Sequence, residues 1–179
     1  MRNPRFYSIG DNVVDRYLDK NIQYPGGNAL NVAALAKRYG CEVQYAGKIG
    51  DDPEGQWIRY ALTQCGVGLD HAIFPSGSTT KRCDVIHQNG ERMFVGVDYG
   101  DHWPGPMRID DRLRDALNEA DLIHLSCNAK MEGELSFLRN RKAFVSYDFS
   151  AAEKYRTDDY LKLVAPNIDL AIFSEPHYD

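Results

Sequence analysis

Two rhythms of hydrophobic and polar positions alternate along this chain. Residues 5–10 form a short apolar run that stops at the turn signal Gly10-Asp11-Asn12, which predicts a strand. Residues 28–39 are rich in Ala and Leu, with Gly40 following as a C′ residue, and predict a helix. Residues 43–49 are β-rich and end at Gly50-Asp51-Asp52-Pro53, a capping sequence for a helix over about 54–65. Further on, residues 122–125, 143–147 and 170–173 are short apolar runs suited to strands buried on both faces. Helices are expected between them, near 110–119, 133–139 and 157–164. Strand and helix in alternation predict an α/β fold with a parallel sheet and helices on both faces.

The stretch from 72 to 99 departs from that rhythm. Residues 79–88 and 92–98 alternate as strands do, and Asn89-Gly90 between them is the commonest pair for a type I′ hairpin turn. A hairpin inserted among α/β units projects from the main sheet as a lid or as a contact between copies. Residues 13–24 follow the first strand without a helical pattern and are expected to join it. No repeat, low-complexity tract or interdomain linker is visible, and Trp103-Pro104-Gly105-Pro106 reads as a loop.

Composition narrows the class. The 179 residues are 43% hydrophobic, 26% charged and 11% aromatic, which is too apolar for a disordered chain and fits about one domain. A formal charge of −5 argues against a general nucleic-acid or polyanion binder, although a local basic patch stays open. The four cysteines lie far apart with no C-x-x-C pair, so they read as reduced thiols of a cytoplasmic protein. No window approaches 18 consecutive apolar residues, and the apolar stretch after Arg5 is too short for a signal-peptide core.

The densest chemistry lies in Tyr24-Pro25-Gly26-Gly27-Asn28-Ala29-Leu30-Asn31-Val32-Ala33. Two glycines before a helix let a ligand approach the backbone and leave the first helical N–H groups free to bind it. Asn28 and Asn31, three apart, share one face at the mouth of that helix, and an amide that both donates and accepts suits a polyhydroxylated ligand. The competing reading is an ordinary Gly-Gly turn with Asn as the N-cap.

These residues resemble the ribokinase-like, phosphofructokinase B type, carbohydrate kinases. The Gly-Gly-x-x-x-Asn-x-Ala run, Gly40, and Gly47-x-x-Gly50-Asp51-Asp52-x-x-Gly55 match that family's N-terminal signature. Gly10-Asp11-Asn12-Val13-Val14-Asp15 is similar to the end of its first strand. Arg38-Tyr39-Gly40, Asp148-Phe149-Ser150 and the tail through Ser174 make the fructoselysine 6-kinase branch the nearest. The resemblance implies a ribokinase-like three-layer α/β/α fold with a small β-strand lid, formed by segments at about 13–24 and 72–99. It implies sugar binding by Asp15, Gly26, Gly27, Asn28 and Asn31. Arg92, on the outgoing lid strand, either contacts substrate or is simply solvated, and Asp15 read alone is also an acceptable turn residue.

Departures from the family pattern define what to expect of the chain itself. The family often carries Asp-x-Asn where this sequence has Asp148-Phe149-Ser150, and Asn-x-x-Glu where it has Ser174-Glu175-Pro176-His177. Glu175 is a neighbouring acidic residue but is not assigned as a metal ligand. The family's catalytic base and phosphate-cradling N–H groups come from a Gly-Ala-Gly-Asp motif, which occurs nowhere in the 179 residues. Gly47-Lys48-Ile49-Gly50-Asp51 only looks similar; it also fails as a P-loop, because G-x-x-x-x-G-K spacing is absent. Residues 1–179 therefore read as the sugar-binding N-terminal part of a kinase domain whose C-terminal part is absent, with the base expected beyond Asp179. ATP and Mg²⁺ are expected to serve the complete protein and not to bind tightly to this chain, which alone is expected to be inactive. A homodimer through the lid is expected. The alternative is a non-catalytic sugar-binding module on a kinase-like scaffold. A dinucleotide-dependent oxidoreductase is excluded, since no G-x-G-x-x-G follows the first strand.

Overall fold

A computed structural model describes residues 2–174. Its elements run in the order β1 (Arg5–Ile9), β2 (Val13–Tyr17), β3 (Ile22–Gly26), α1 (Asn28–Arg38), β4 (Glu42–Ala46), α2 (Pro53–Gln64), β5 (Arg82–Gln88), β6 (Glu91–Asp98), α3 (Asp111–Asn118), β7 (Leu122–Ser126), β8 (Phe144–Asp148), α4 (Asp158–Val164) and β9 (Leu170–Ile172). Five strands form a sheet in the order β4-β1-β7-β8-β9, parallel throughout. The other four form a second, mixed sheet in the order β3-β2-β5-β6.

Local chemistry starts α2, α3 and α4 where the sequence places them. Asp52 caps α2 by accepting from the Gly55 N–H at 2.9 Å, with Pro53 at the first helical position. Asp110 caps α3 through Leu113 N–H at 2.8 Å, and Thr157 caps α4 through Tyr160 N–H. Gly40 takes φ = 92°, the left-handed conformation expected of a C′ glycine. The segment expected as a helix over 133–139 is instead a 3₁₀ helix, Glu132–Asn140. Leu135 and Leu138 are its buried positions, and Met131 is buried just before it. The three-residue step from Leu135 to Leu138 eclipses in a three-per-turn helix, and Gly133 weakens the α form.

The parallel sheet is covered on both sides. On one face Ile9, Ile123, Leu125, Val145 and Tyr147 pack against Leu113 and Leu117 of α3, Leu135 and Leu138 of the 3₁₀ helix, and Val164 of α4. On the other face Val43, Tyr45 and Ile49 pack against Ala29, Leu30 and Ala33 of α1 and Ile58 and Leu62 of α2. At the sheet's edge, Leu170 and Ile172 of β9 and the adjacent Phe173 remain 40–47% exposed.

The second sheet stands as the lid. Asn89 and Gly90 both take positive φ, 54° and 84°, as a type I′ turn requires. A bulge at Asp84/Val85 shifts the register of β5 on β6. Of the stretch 72–99, the part before β5 is not in the lid sheet: Ile73 bridges Lys48 alongside the main sheet, and the first strand of the hairpin starts at Arg82. The first lid segment extends to Gly26. Arg82 ties the lid to α2, reaching Glu54 at 2.9 Å and Asp52 at 3.4 Å. Glycines of the downstream motif serve packing here, since a Cβ on Gly55 would fall 2.0 Å from Gly50 O.

Candidate functional site at the mouth of helix α1

The turn 10–12 leaves the carboxyl end of β1, where parallel strands present their loops to ligands, and leads into the lid. Its Asp11 carboxylate accepts from the backbone N–H groups of Asn28 at 2.9 Å and Ala29 at 3.3 Å, and from Ser126 Oγ at 3.3 Å. The start of α1 is thus capped by a residue 17 positions earlier. This corrects the expectation that its first N–H groups are free for a ligand: the chain's own carboxylate occupies two of them. Gly27 has φ = 111°, and a Cβ there would lie 2.8 Å from both Asn12 Cα and Asp11 O. A Cβ on Gly26 would lie 2.7 Å from Asp15 Oδ2. The glycine pair is required by the chain's own close packing before any ligand is considered.

Asn28 is likewise committed inward. Its Nδ2 donates to Asp148 Oδ2, and its Oδ1 lies 2.7 Å from His124 Nε2. His124 Nδ1 lies 2.9 Å from Ser146 Oγ, and Asp148 Oδ1 accepts from Ser150 N–H at 2.7 Å. Burial pushes the His124 pKa down to about 4, so the ring is neutral near pH 7. The Asn28 amide orients the chain, since its nitrogen only donates and its oxygen only accepts: Nδ2 donates to Asp148, His124 Nε2–H donates to Oδ1, and Ser146 O–H donates to His124 Nδ1. These polar groups come from alternate positions of β7 and β8, on the sheet face toward α1. The sequence reading missed them because each strand looks like a continuous apolar run, yet Leu122-Ile123-His124-Leu125-Ser126 and Phe144-Val145-Ser146-Tyr147-Asp148 alternate.

Between the lid and the mouth of α1 lies an open cleft of about 420 Å³. Asp15, Gly27, Asn28, Asn31 and Arg92 line it, and Gly26 sits behind Asp15. Asp15 Oδ2 accepts from an Arg92 guanidinium nitrogen at 2.7 Å. Burial raises the Asp15 pKa above the usual carboxylate range, and the opposing charge of Arg92 offsets part of that rise. Arg92 also lies 4.6 Å from the centre of the Phe94 ring and 5.6 Å from that of Tyr17, so it is held from three sides. Asn31 is exposed and borders the cleft, and its side-chain amide has no hydrogen-bond partner among the described residues.

The cleft also contains Asp11, Val13, Lys81, Cys83, Phe94, Val97, Asn128 and Ser150, none of which the sequence reading assigned to the site. Asn128 and Ser150 follow the carboxyl ends of β7 and β8, a position from which they could have been found. Phe94 and Val97 face the same way only because of the bulge in the hairpin, which no spacing rule reveals. Cys83 is buried and its thiol pKa is raised by that burial. All four cysteines are free thiols.

The residues present do not by themselves fit magnesium. Among the described residues no group of three His, Cys, Asp or Glu side chains could hold a metal ion. Asp11 and Asp148 already spend their oxygens on N–H and amide donors, and Glu175 lies outside the described residues. No helix among the described residues is long and apolar enough to cross a membrane.

Known proteins share this architecture. A sugar kinase from Pyrococcus horikoshii, described as uncharacterised, superposes with a TM-score of 0.76 at 17% identity, over 93% of this chain and 62% of its own. A structure of that kinase in complex with ATP superposes at 0.72. A protein described as a ribokinase from Agrobacterium tumefaciens gives 0.77 at 21% identity, over 97% and 60% of the two chains. The fold is therefore the ribokinase-like three-layer α/β/α arrangement with a β lid. In sequence, fructosamine kinase FrlD of Bacillus subtilis is 36% identical over 95% of this chain and 59% of its own length. Fructoselysine 6-kinase of Escherichia coli is 31% identical over 96% and 64%. The chain thus spans about three fifths of these curated relatives. Residues 7–176 match the pfkB family carbohydrate kinases, and the chain belongs to that family.

Proposed function

We propose that this chain supplies the sugar-binding part of an ATP-dependent kinase that phosphorylates fructoselysine or a related fructosamine or ketose. The observation that carries the reading is the Asp15–Arg92 pair in a cleft between lid and helix mouth. A carboxylate that is buried, yet held by a single cation, keeps lone pairs for hydroxyl donors, and charge-assisted bonds of this kind are strong. Asn31 adds a free amide, and Gly27 borders the cleft beside it. Phe94 and Val97 offer an apolar wall for carbon-bound hydrogens and keep water off the bound ring. ATP would donate the phosphoryl group with magnesium balancing its charge; neither is assigned to residues of this chain, and no catalytic base is assigned within it. The rest of the proposal follows the same lines. Two copies pair through their lids, a reading supported by the exposed Met93 and Val95 of β6, which do not line the cleft. The protein works in the cytoplasm, a reading supported by its free thiols.

The test combines calorimetry with a coupled assay of ADP release on the 179-residue chain. Binding of fructoselysine without turnover is the expected result. Sustained magnesium-dependent turnover would overturn the assignment of the base outside this chain. Absence of binding to fructoselysine, fructose and ribose alike would overturn the sugar site.

A further inference from the structure

A second, narrower recess adjoins the sugar cleft. Its volume is about 40 Å³, room for about three water-sized groups, and its walls include Lys48, Lys81, Lys130, Tyr99 and Trp103. It shares Asp11, Lys81 and Asn128 with the larger cleft, so the two spaces are neighbours with walls in common. Three ammonium groups converging on one recess are unusual in a chain of net charge −5. Among the described residues, no ion pair engages any of the three, whereas Arg16, Arg82 and Arg92 of the neighbouring lid are all paired with carboxylates.

Each lysine is held in place without being neutralised. Lys48 Nζ donates to Pro104 O at 2.8 Å, which leaves two protons available. Lys81 lies 5.4 Å from the centre of the Tyr99 ring and Lys130 lies 5.8 Å from that of Trp103, and these two rings pack edge to face at 4.9 Å. Lys130 takes a left-handed backbone, φ = 52°, at the end of the short 3₁₀ turn that follows β7. The Asp11 carboxylate also borders the recess, but it is occupied by the α1 N–H groups and Ser126.

Position in the fold says which end of a ligand enters. The recess lies over the loops after β4, β1 and β7, whereas Ser150, after β8, borders the main cleft on the side toward β9. We infer that this recess binds the carboxylate of the amino-acid part of a fructosamine substrate, while its ketose ring occupies the main cleft. The inference rests on the sugar-binding reading above and adds what selects a fructosamine from a plain ketose. A three-atom carboxylate matches the space, and the lysines provide charge-assisted donors on an otherwise acidic protein.

Titration calorimetry on the chain with fructoselysine, its carboxamide and fructose tests this. The carboxamide, equal in size but uncharged at that end, is expected to bind about 10- to 100-fold more weakly than fructoselysine. Lys48→Gln and Lys130→Asn, the second chosen because Asn accepts the left-handed backbone, are expected to erase most of that ratio. Neither change is expected to alter fructose affinity or the melting temperature by more than a small amount. Equal binding of acid and carboxamide would overturn the inference and leave the sugar site standing. Binding of fructose but of neither fructosamine would do the same. Failure of every sugar to bind would remove the sugar reading and the inference with it.

Discussion

The two faces of the parallel sheet are packed by opposite means. Toward α3 and α4 the strands present Ile123, Leu125, Val145 and Tyr147, and the layer is closed mainly by apolar contact, with one polar link in which the Tyr147 and Tyr160 hydroxyls meet at 2.8 Å and Tyr160 donates to Glu132. Toward α1 the same two strands present His124, Ser126, Ser146 and Asp148, satisfied one by another and by Asn28 and Asp11. Apolar packing tolerates small shifts, because it is not directional. A hydrogen-bonded layer fixes angles as well as distances, and it lies directly beneath the helix mouth that borders the cleft. One face holds the protein together, and the other aims its site.

Four experiments bear on that contrast. Leu125→Ala, on the apolar face, should cost about 2–5 kcal/mol of folding stability by leaving a cavity. Read by denaturant unfolding, a loss under 1 kcal/mol would show that this face is not what closes the core. The second uses pH. His124 has a folded pKa of about 4, below the ordinary value of 6.5, so the unfolded chain binds the extra proton more readily. Stability is then fully present above pH 6.5 and falls as pH drops toward 4, by about 3 kcal/mol from this group. His71, which burial also depresses, adds to the same slope, so His124→Gln isolates the share of the polar face by flattening the curve there. If the variant and the parent show the same slope, the ring is not buried neutral.

Third, Asn28→Ala should cost about 1–3 kcal/mol, because it leaves His124 Nε2–H and one Asp148 oxygen unpaired. It should also weaken sugar binding, unlike Leu125→Ala, if the polar face positions the site; equal effects of both variants on affinity would erase the distinction. The smallest expected effect on stability belongs to Asp15→Asn. Since burial raises the Asp15 pKa in the fold, its charge opposes folding at pH 7, and the melting temperature should not fall. Sugar affinity, by contrast, should drop at least about tenfold with the loss of a charged acceptor. Retention of affinity in that variant would remove Asp15 from the site.

Much of this was legible in the chain. Alternation of short apolar runs with helical stretches predicted the sheet and its helices, and Asn89-Gly90 predicted the hairpin, because both signals are local. Asp15, Gly27, Asn31 and Arg92 were all predicted for the site and line one cleft. Harder to read was what Asn28 does: its neighbours in space, His124 and Asp148, lie 96 and 120 residues away. The same distance hid the capping of α1 by Asp11, since Gly27 sits where a capping side chain would be sought. The 3₁₀ form of Glu132–Asn140 was missed because a spacing of three suits an α-helix nearly as well, and tertiary packing chose between them.

The joints of the lid have one more consequence. The strand pair β2–β3 departs at Asp11 and returns at Asn28, and those two residues are bonded to each other. The pair β5–β6 departs at Thr79 and returns at Tyr99, where Thr79 Oγ1 donates to Tyr99 O and Thr79 N–H donates to His102 O. Each excursion is therefore closed at its base before its tip is specified, and lengthening a loop already closed costs little. Changes at the tips, residues 18–21 and 89–90, therefore leave the anchor points in place, and because those tips lie outside the lining of the cleft, they can vary without disturbing either the body or the site.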